Sequence, residues 1–163
     1  MTGGRQWRTL LSGPLGPHTT YTGEHLMTAT TSLIEIARRD LADLNDSIVG
    51  PGDPDYDAAR AVHNGMIDRH PALIVRCGSG DDVGRCIAFA RAHEAPIAVR
   101  GGGHNGGGLG VVDDGLVIDL AGLDQVVVDP EAKTVRIGGG CTWAQVDQAT
   151  YQSGRATPSG ALL

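Results

Sequence analysis

The chain has 163 residues, enough for one ordinary domain with a substantial core, and its apolar content of 40% fits a globular fold. A net charge of −6 excludes broad electrostatic binding to nucleic acid, which depends on Lys and Arg neutralising many phosphates, so any phosphate group must be held locally. Cys77, Cys86 and Cys141 are an odd count without a close-spaced pair, which favours buried thiols in a reducing compartment over a disulfide framework or a zinc site.

Residues 1–31 are rich in Gly, Pro and Thr and carry no period, so they read as a disordered extension, with Met27 an alternative start. Arg5 and Arg8 precede a stretch too broken by Gly and Pro to be the apolar core of a signal peptide. No apolar run approaches the ~20 residues that span a bilayer, and the expected location is the cytoplasm. Residues 32–66 form a helical lead-in. Leu33, Ile36, Ala37, Leu41 and Leu44 mark one face of an amphipathic helix. Gly50-Pro51-Gly52-Asp53-Pro54 then breaks the chain, and Ala58 to Ile67 recovers a helical turn or two.

Residues 67–163 hold the patterned part of the chain. Pro71 to Cys77 reads as a buried strand, and Ser79 with Asp82 is a capping box that opens a helix running to about His93. Ile97-Ala98-Val99 completes a β-α-β unit with parallel strands. Leu116 to Leu120 is a further strand, and Gln125–Asp129 with Thr134–Gly138 form a hairpin around Pro130–Lys133. Thr142 and Gln145 repeat the capping-box pattern and open a helix through about Tyr151.

The stretch from Arg100 to Gly108, Arg-Gly-Gly-Gly-His-Asn-Gly-Gly-Gly, leaves the end of the strand at Val99. Six glycines in nine residues let the backbone approach a bulky partner and let successive N–H groups converge on an anion. Arg100 either supports phosphates or anchors the strand end. His104 is the reactive side chain in its middle. The pattern lacks the helix and distal acidic residue of a dinucleotide fingerprint, and no Lys-Ser or Lys-Thr follows as in a Walker loop. His18, His25, His63, His70 and His93 have no metal-ligand spacing and read as solvent-facing or structural; Cys141 reads as a small buried residue before a helix, and Asp113-Asp114 as a turn.

Taken in order, several motifs resemble the N-terminal part of a PCMH-type FAD-binding domain. They are Pro51–Asp57, Pro71–Cys77, Val99–His104, Gly138–Trp143 and Ala156–Gly160. The resemblance is to the vanillyl-alcohol oxidase / p-cresol methylhydroxylase superfamily, and within it to berberine-bridge-enzyme-like FAD-linked oxidases. It implies an α+β fold with a small mixed sheet and flanking helices, FAD as cofactor, and hydride transfer from an alcohol or activated C–H to flavin and then to oxygen. It further implies that Arg100, Gly101, Gly102, Gly103, Asn105, Thr157 and Gly160 bind the cofactor and that His104 is joined covalently to the flavin 8α carbon. A neutral imidazole is a competent nucleophile for such a bond. Ala161 and Leu162 stand where some members carry a second, cysteinyl link, so one covalent bond is expected.

The resemblance also places the substrate domain and the catalytic base beyond Leu163, so the chain is expected to be incomplete and inactive alone, and its small-molecule substrate and catalytic residues are unassigned. Two other readings remain at this point: a truncated product that binds no flavin, and a small phosphate- or nucleotide-binding module resting on the glycine loop alone.

Overall fold

The computed structural model describes residues 25–158. Helix α1 spans His25–Asp40 and is followed by a 3-10 helix, Ala42–Ser47, and a short strand β1, Ile48–Val49. Helix α2 (Tyr56–Arg60), strand β2 (Leu73–Arg76), helix α3 (Gly80–Ala92) and strand β3 (Ile97–Arg100) come next. Strands β4 (Leu116–Asp119), β5 (Val126–Asp129) and β6 (Thr134–Ile137) and helix α4 (Trp143–Tyr151) complete the order.

The apolar spacing starts the first helix at Ser32, whereas α1 begins at His25. Once the amphipathic turns from Leu33 onward have formed a nucleus, adding residues at the helix start costs little, so the helix extends into a segment without a period of its own. The rest of the expected extension, residues 1–24, lies outside the described residues. Between Ala58 and Ile67 the helix is shorter than expected: α2 ends at Arg60, and the chain then runs irregularly.

Four strands form a mixed sheet in the order β1-β2-β4-β3, with β1 antiparallel to β2 and the other pairings parallel. Strands β2 and β3 are thus parallel, as the β-α-β pattern predicts, but β4 lies between them. The cause is visible in composition. Leu116, Val117 and Ile118 are apolar on both faces and have no exposed surface, which suits a central strand, whereas β3 leaves Ile97 and Val99 exposed at the edge. Strands β5 and β6 pair as the expected hairpin in a separate two-stranded sheet.

One face of the main sheet packs Leu73, Val75, Leu116 and Ile118 against Ala37 and Leu41 of the first helical segment and Cys86, Phe89 and Ala90 of α3. The lead-in therefore shares a core with the segment that follows it. The opposite face packs Val49, Ile74, Ala98 and Val117 against Tyr56, Ala59 and Val111. Each fully buried aliphatic side chain contributes roughly 1.5–3 kcal/mol relative to exposure, so β2 and β4 supply much of the stability. The Tyr56 hydroxyl donates to Pro71 O at 2.7 Å and ties α2 to the start of β2.

Helix α3 begins as its sequence predicts. Ser79 Oγ accepts from Asp82 N–H at 3.2 Å, and the Asp82 carboxylate accepts from Ser79 N–H at 2.9 Å. Its last turn closes on an N–H of Ala95 bonded to Ala90 O at 2.9 Å, with Glu94 at φ +51°. Among the described residues no helix is long and apolar enough to cross a membrane.

The Cys77 and Cys86 thiols are buried and lie 3.9 Å apart between β2 and α3, while Cys141 is half-buried and donates to Gln125 O at 3.4 Å. Donation from Cys77 holds the Cys86 thiol below its ordinary range, and the same pairing together with burial pushes Cys77 up. Burial should outweigh this activation. In the native chain a thiol-specific chromogenic reagent is expected to titrate Cys141 rapidly and the other two only after denaturation. Rapid titration of all three would show that the β2–α3 packing is open.

Candidate functional site

Strands β2, β4 and β3 run parallel, so the loops after Arg76, Asp119 and Arg100 all leave from one edge of the sheet. The carboxyl edge of parallel strands is where open α/β sheets bind ligands, because strand ends, loop backbones and helix starts converge there. Arg76, Asp119 and Arg100 form a row across that edge, Asp119 registering with both arginines.

The Arg100 charge is paired inside the fold. Its side chain is 8% exposed, and its guanidinium pairs with Asp119 at 2.6 Å. It also donates to the carbonyls of Ala59 and Ala61 at the C-terminal end of α2, the latter at 3.2 Å. Of the two roles open to Arg100 in the sequence, the structure shows the anchor: it fixes the end of β3 and the start of the glycine loop onto α2 and β4. A guanidinium in an apolar face must spend its donors on fixed internal acceptors, and the same residue borders the glycine-loop cavity.

Beyond Arg100, the backbone N–H groups of Gly101, Gly102, Gly103, His104 and Asn105 donate to no acceptor among the described residues. Gly103 lies at φ +72°. A Cβ on Gly101 would stand 2.6 Å from Gly139 O, so the loop can lie against the Gly138–Gly140 segment only because position 101 has no side chain. The loop then closes on itself: Asn105 O accepts from Gly108 N–H at 3.0 Å, and Asn105 Oδ1 accepts from Leu109 N–H at 3.1 Å. A cavity of about 200 Å³ is lined by Arg100–Asn105 together with Val99, Leu109 and Gly110. Backbone donors without partners among the described residues, beside a cavity at a strand end, are the groups from which an anion nest is built.

A larger cavity of about 410 Å³ opens at the same sheet edge, between the start of α3 at Gly78–Gly80 and the β5–β6 hairpin, with Arg136 and Gly138 in its wall. Gly138 lines this cavity, and Gly139 lies against Gly101 of the smaller one.

His104 is exposed on the loop and stacks on His63, with ring centroids 4.8 Å apart and planes inclined by 20°. The backbone N–H of His63 donates to Gly103 O at 3.0 Å, and Asn64 Nδ2 donates to Gly106 O at 3.0 Å. Arg60 holds this irregular stretch by pairing with Asp57 at 2.8 Å and with Asp68, and its hydrogen bond, then its charge, keeps the Asp68 carboxyl below the usual carboxylate range.

Thr157 is half-buried in the segment after α4, and no hydrogen bond joins it to the glycine loop among the described residues; Gly160 lies outside them. Sequence reasoning missed His63, Asn64 and Asp119 as parts of the site. Asp119 carried a signal, a carboxylate at the end of an otherwise apolar run, which when buried requires a cationic partner. His63 and Asn64 carried none, being some 40 residues from the loop in an irregular stretch. Among the described residues no group of three or more His, Cys, Asp or Glu side chains is placed to hold a metal ion.

Residues 71–162, more than half of the chain, match the family model described as FAD binding domain. The chain is 31% identical over 117 residues to (R)-6-hydroxynicotine oxidase of Paenarthrobacter nicotinovorans, covering 72% of this chain and 26% of that protein. It is 32% identical over 119 residues to an uncharacterized FAD-linked oxidoreductase, YgaK, of Bacillus subtilis, covering 73% and 26%. Among solved structures, 6-hydroxy-D-nicotine oxidase from Arthrobacter nicotinovorans superposes with a TM-score of 0.63 at 32% identity, over 66% of this chain and 24% of that one. The berberine-bridge-enzyme-like protein 1 of Physcomitrella patens gives 0.64 at 27% identity, over 71% and 26%. The chain spans about a quarter of the length of the curated relatives it matches.

Proposed function

Because the chain belongs to the FAD-binding domain family of FAD-linked oxidoreductases, we propose that its glycine loop holds the FAD pyrophosphate and that His104 is the point of covalent flavin attachment. The observation that carries this reading is the loop itself: a run of backbone donors without internal partners, around an exposed imidazole, at the ligand-binding edge of a parallel sheet. The residues fit the cofactor in chemistry as well as in place. Gly101, Gly102, Gly103 and Asn105 offer N–H groups to an anion, and the cradle at Gly101 admits no side chain.

Bound there, FAD supplies a two-electron acceptor for an alcohol or activated C–H bond, with dioxygen as the final oxidant. The chain's own residues do the holding. The Arg100–Asp119 pair fixes where the loop starts, the loop N–H groups donate to the phosphate oxygens, and the His104 nitrogen provides the attachment point. A covalent bond from the His104 nitrogen to the flavin 8α carbon would be an oxidative attachment, with two electrons and two protons given up and dioxygen as their acceptor; the chain's part would be to hold the imidazole and release its N–H proton. No residue of the chain is assigned as catalytic base.

The test is to incubate the chain with FAD in air, denature it in acid and follow the yellow colour and flavin fluorescence. Colour is expected to stay with the polypeptide in the native sequence and to leave entirely with the supernatant in His104→Ala. That variant should still quench free flavin fluorescence, since the loop N–H groups remain. Colour lost to the supernatant from the native chain would overturn the covalent assignment, and saturable competition by AMP without any need for the flavin ring would favour a plain nucleotide site.

A further inference from the structure

His104 stands on a glycine loop and is exposed, so little in its own segment restricts its side chain. Two contacts from outside its immediate position do. On one side, the ring lies close over Gly102, where a Cβ would stand 3.0 Å from His104 Cδ2 and 3.6 Å from Nε2. On another, the His63 imidazole stacks on it at 4.8 Å and 20°. The His63 backbone N–H is bonded to Gly103 O at 3.0 Å, so the stacking ring is tied to the same turn of loop that carries His104. Asn64, the next residue, adds its own bond to Gly106 O.

We propose that His63 is the positioning residue for flavin attachment, its ring held by the loop and stacked on His104 so that the His104 nitrogen is presented in one plane. The proposal rests on the reading of His104 as the attachment point. Bond formation needs the nitrogen aligned with the carbon it attacks, and orientation of a nucleophile contributes to rate before any chemistry begins. An unrestrained histidine has three staggered χ1 wells and a roughly two-fold χ2, about six orientations in all. Holding one of them raises the reactive fraction by up to about sixfold, which sets the size of the effect. The role asks only for a flat aromatic face at position 63. A nitrogen at that position is not required, and this separates positioning from proton transfer.

The experiment compares the native chain with His63→Ala and His63→Phe, through two readouts. In the FAD-free chain, the His104 ring C–H signals in NMR should be displaced upfield by the stacked ring. They should return toward free-histidine positions in His63→Ala and stay displaced in His63→Phe. In air-saturated buffer with FAD, attachment should slow by up to about sixfold in His63→Ala and recover in His63→Phe, with the affinity for reversibly bound FAD equal in all three.

A His63→Ala chain that attaches flavin at the native rate overturns the proposal. So does an attachment defect that Phe does not rescue, since that would make a ring nitrogen the active feature. If the native chain attaches no flavin while its ring signals respond as expected, His104 is not an attachment point and the role of His63 falls with that reading. If attachment proceeds normally and the ring signals do not respond to His63→Ala, only the role of His63 falls.

Discussion

Replacing Asp119 by Ala is expected to destabilise the chain by about 3–5 kcal/mol, the cost of leaving a buried charge without its partner. Asp119 and Arg100 are 9% and 8% exposed at the side chain and meet at 2.6 Å. The Ala59 and Ala61 carbonyls satisfy other donors of the same guanidinium but cannot neutralise it. Since whole domains are stable by only about 5–15 kcal/mol, a loss of this size consumes a large share of the total. The comparison is Arg38→Ala, which breaks the pair with Asp53 at 2.7 Å, where the two side chains are 43% and 34% exposed. A surface pair contributes about 0–1 kcal/mol, so that variant should unfold close to the native denaturant midpoint. Urea unfolding followed by far-ultraviolet circular dichroism measures both. An Asp119→Ala loss no larger than that of Arg38→Ala would mean that the guanidinium finds solvent when unpaired, and that the loop start is not rigidly anchored.

What could be seen beforehand in the sequence divides by how local its cause is. Helices α3 and α4 were legible at their starts because Ser79 with Asp82, and Thr142 with Gln145, satisfy the first backbone donors within one turn. The β5–β6 hairpin was legible because its two apolar runs and its turn are contiguous. Strand β1 was not: two residues, Ile48 and Val49, have no period, and they become a strand only by pairing with Val75 and Ile74 across the sheet. The insertion of β4 between β2 and β3 was also missed, although Leu116-Val117-Ile118 carries no polar position with which to face water. The candidate site follows the same rule. The loop from Arg100 to Gly108 announces itself because backbone freedom is written in consecutive glycines. Its supports do not, since the carboxylate that neutralises Arg100 is 19 residues on and the ring that stacks on His104 comes from the stretch after α2. Arg100 shows the consequence. Read locally, it was a ligand-side charge or an anchor, and the partners that make it an anchor, Asp119 and the Ala59 and Ala61 carbonyls, lie too far along the chain to be read there.

Gly101→Ala should weaken reversible FAD binding by roughly ten- to a hundredfold while leaving the fold intact, whereas Gly106→Ala should change it by no more than about twofold. The two substitutions are alike in what they do to the unfolded chain, where each removes the conformational freedom of one loop glycine. They differ in the folded state. A Cβ at position 101 meets the Gly139 carbonyl oxygen at 2.6 Å, and backbone cannot rotate away as a flexible side chain can; a Cβ at position 106 meets nothing within 4 Å. The Gly101 contact is therefore relieved by moving the loop off the Gly138–Gly140 segment, which turns its N–H groups out of convergence. A hydrogen bond to a charged group is worth about 1.5–3 kcal/mol, so losing one to a phosphate oxygen accounts for the expected range. Quenching of flavin fluorescence gives both affinities, and circular dichroism checks the fold. Native affinity in both variants would remove the close approach of Gly101 to Gly139 as the feature that shapes the anion nest. Equal loss in both would instead make loop flexibility, rather than that contact, the property on which binding depends.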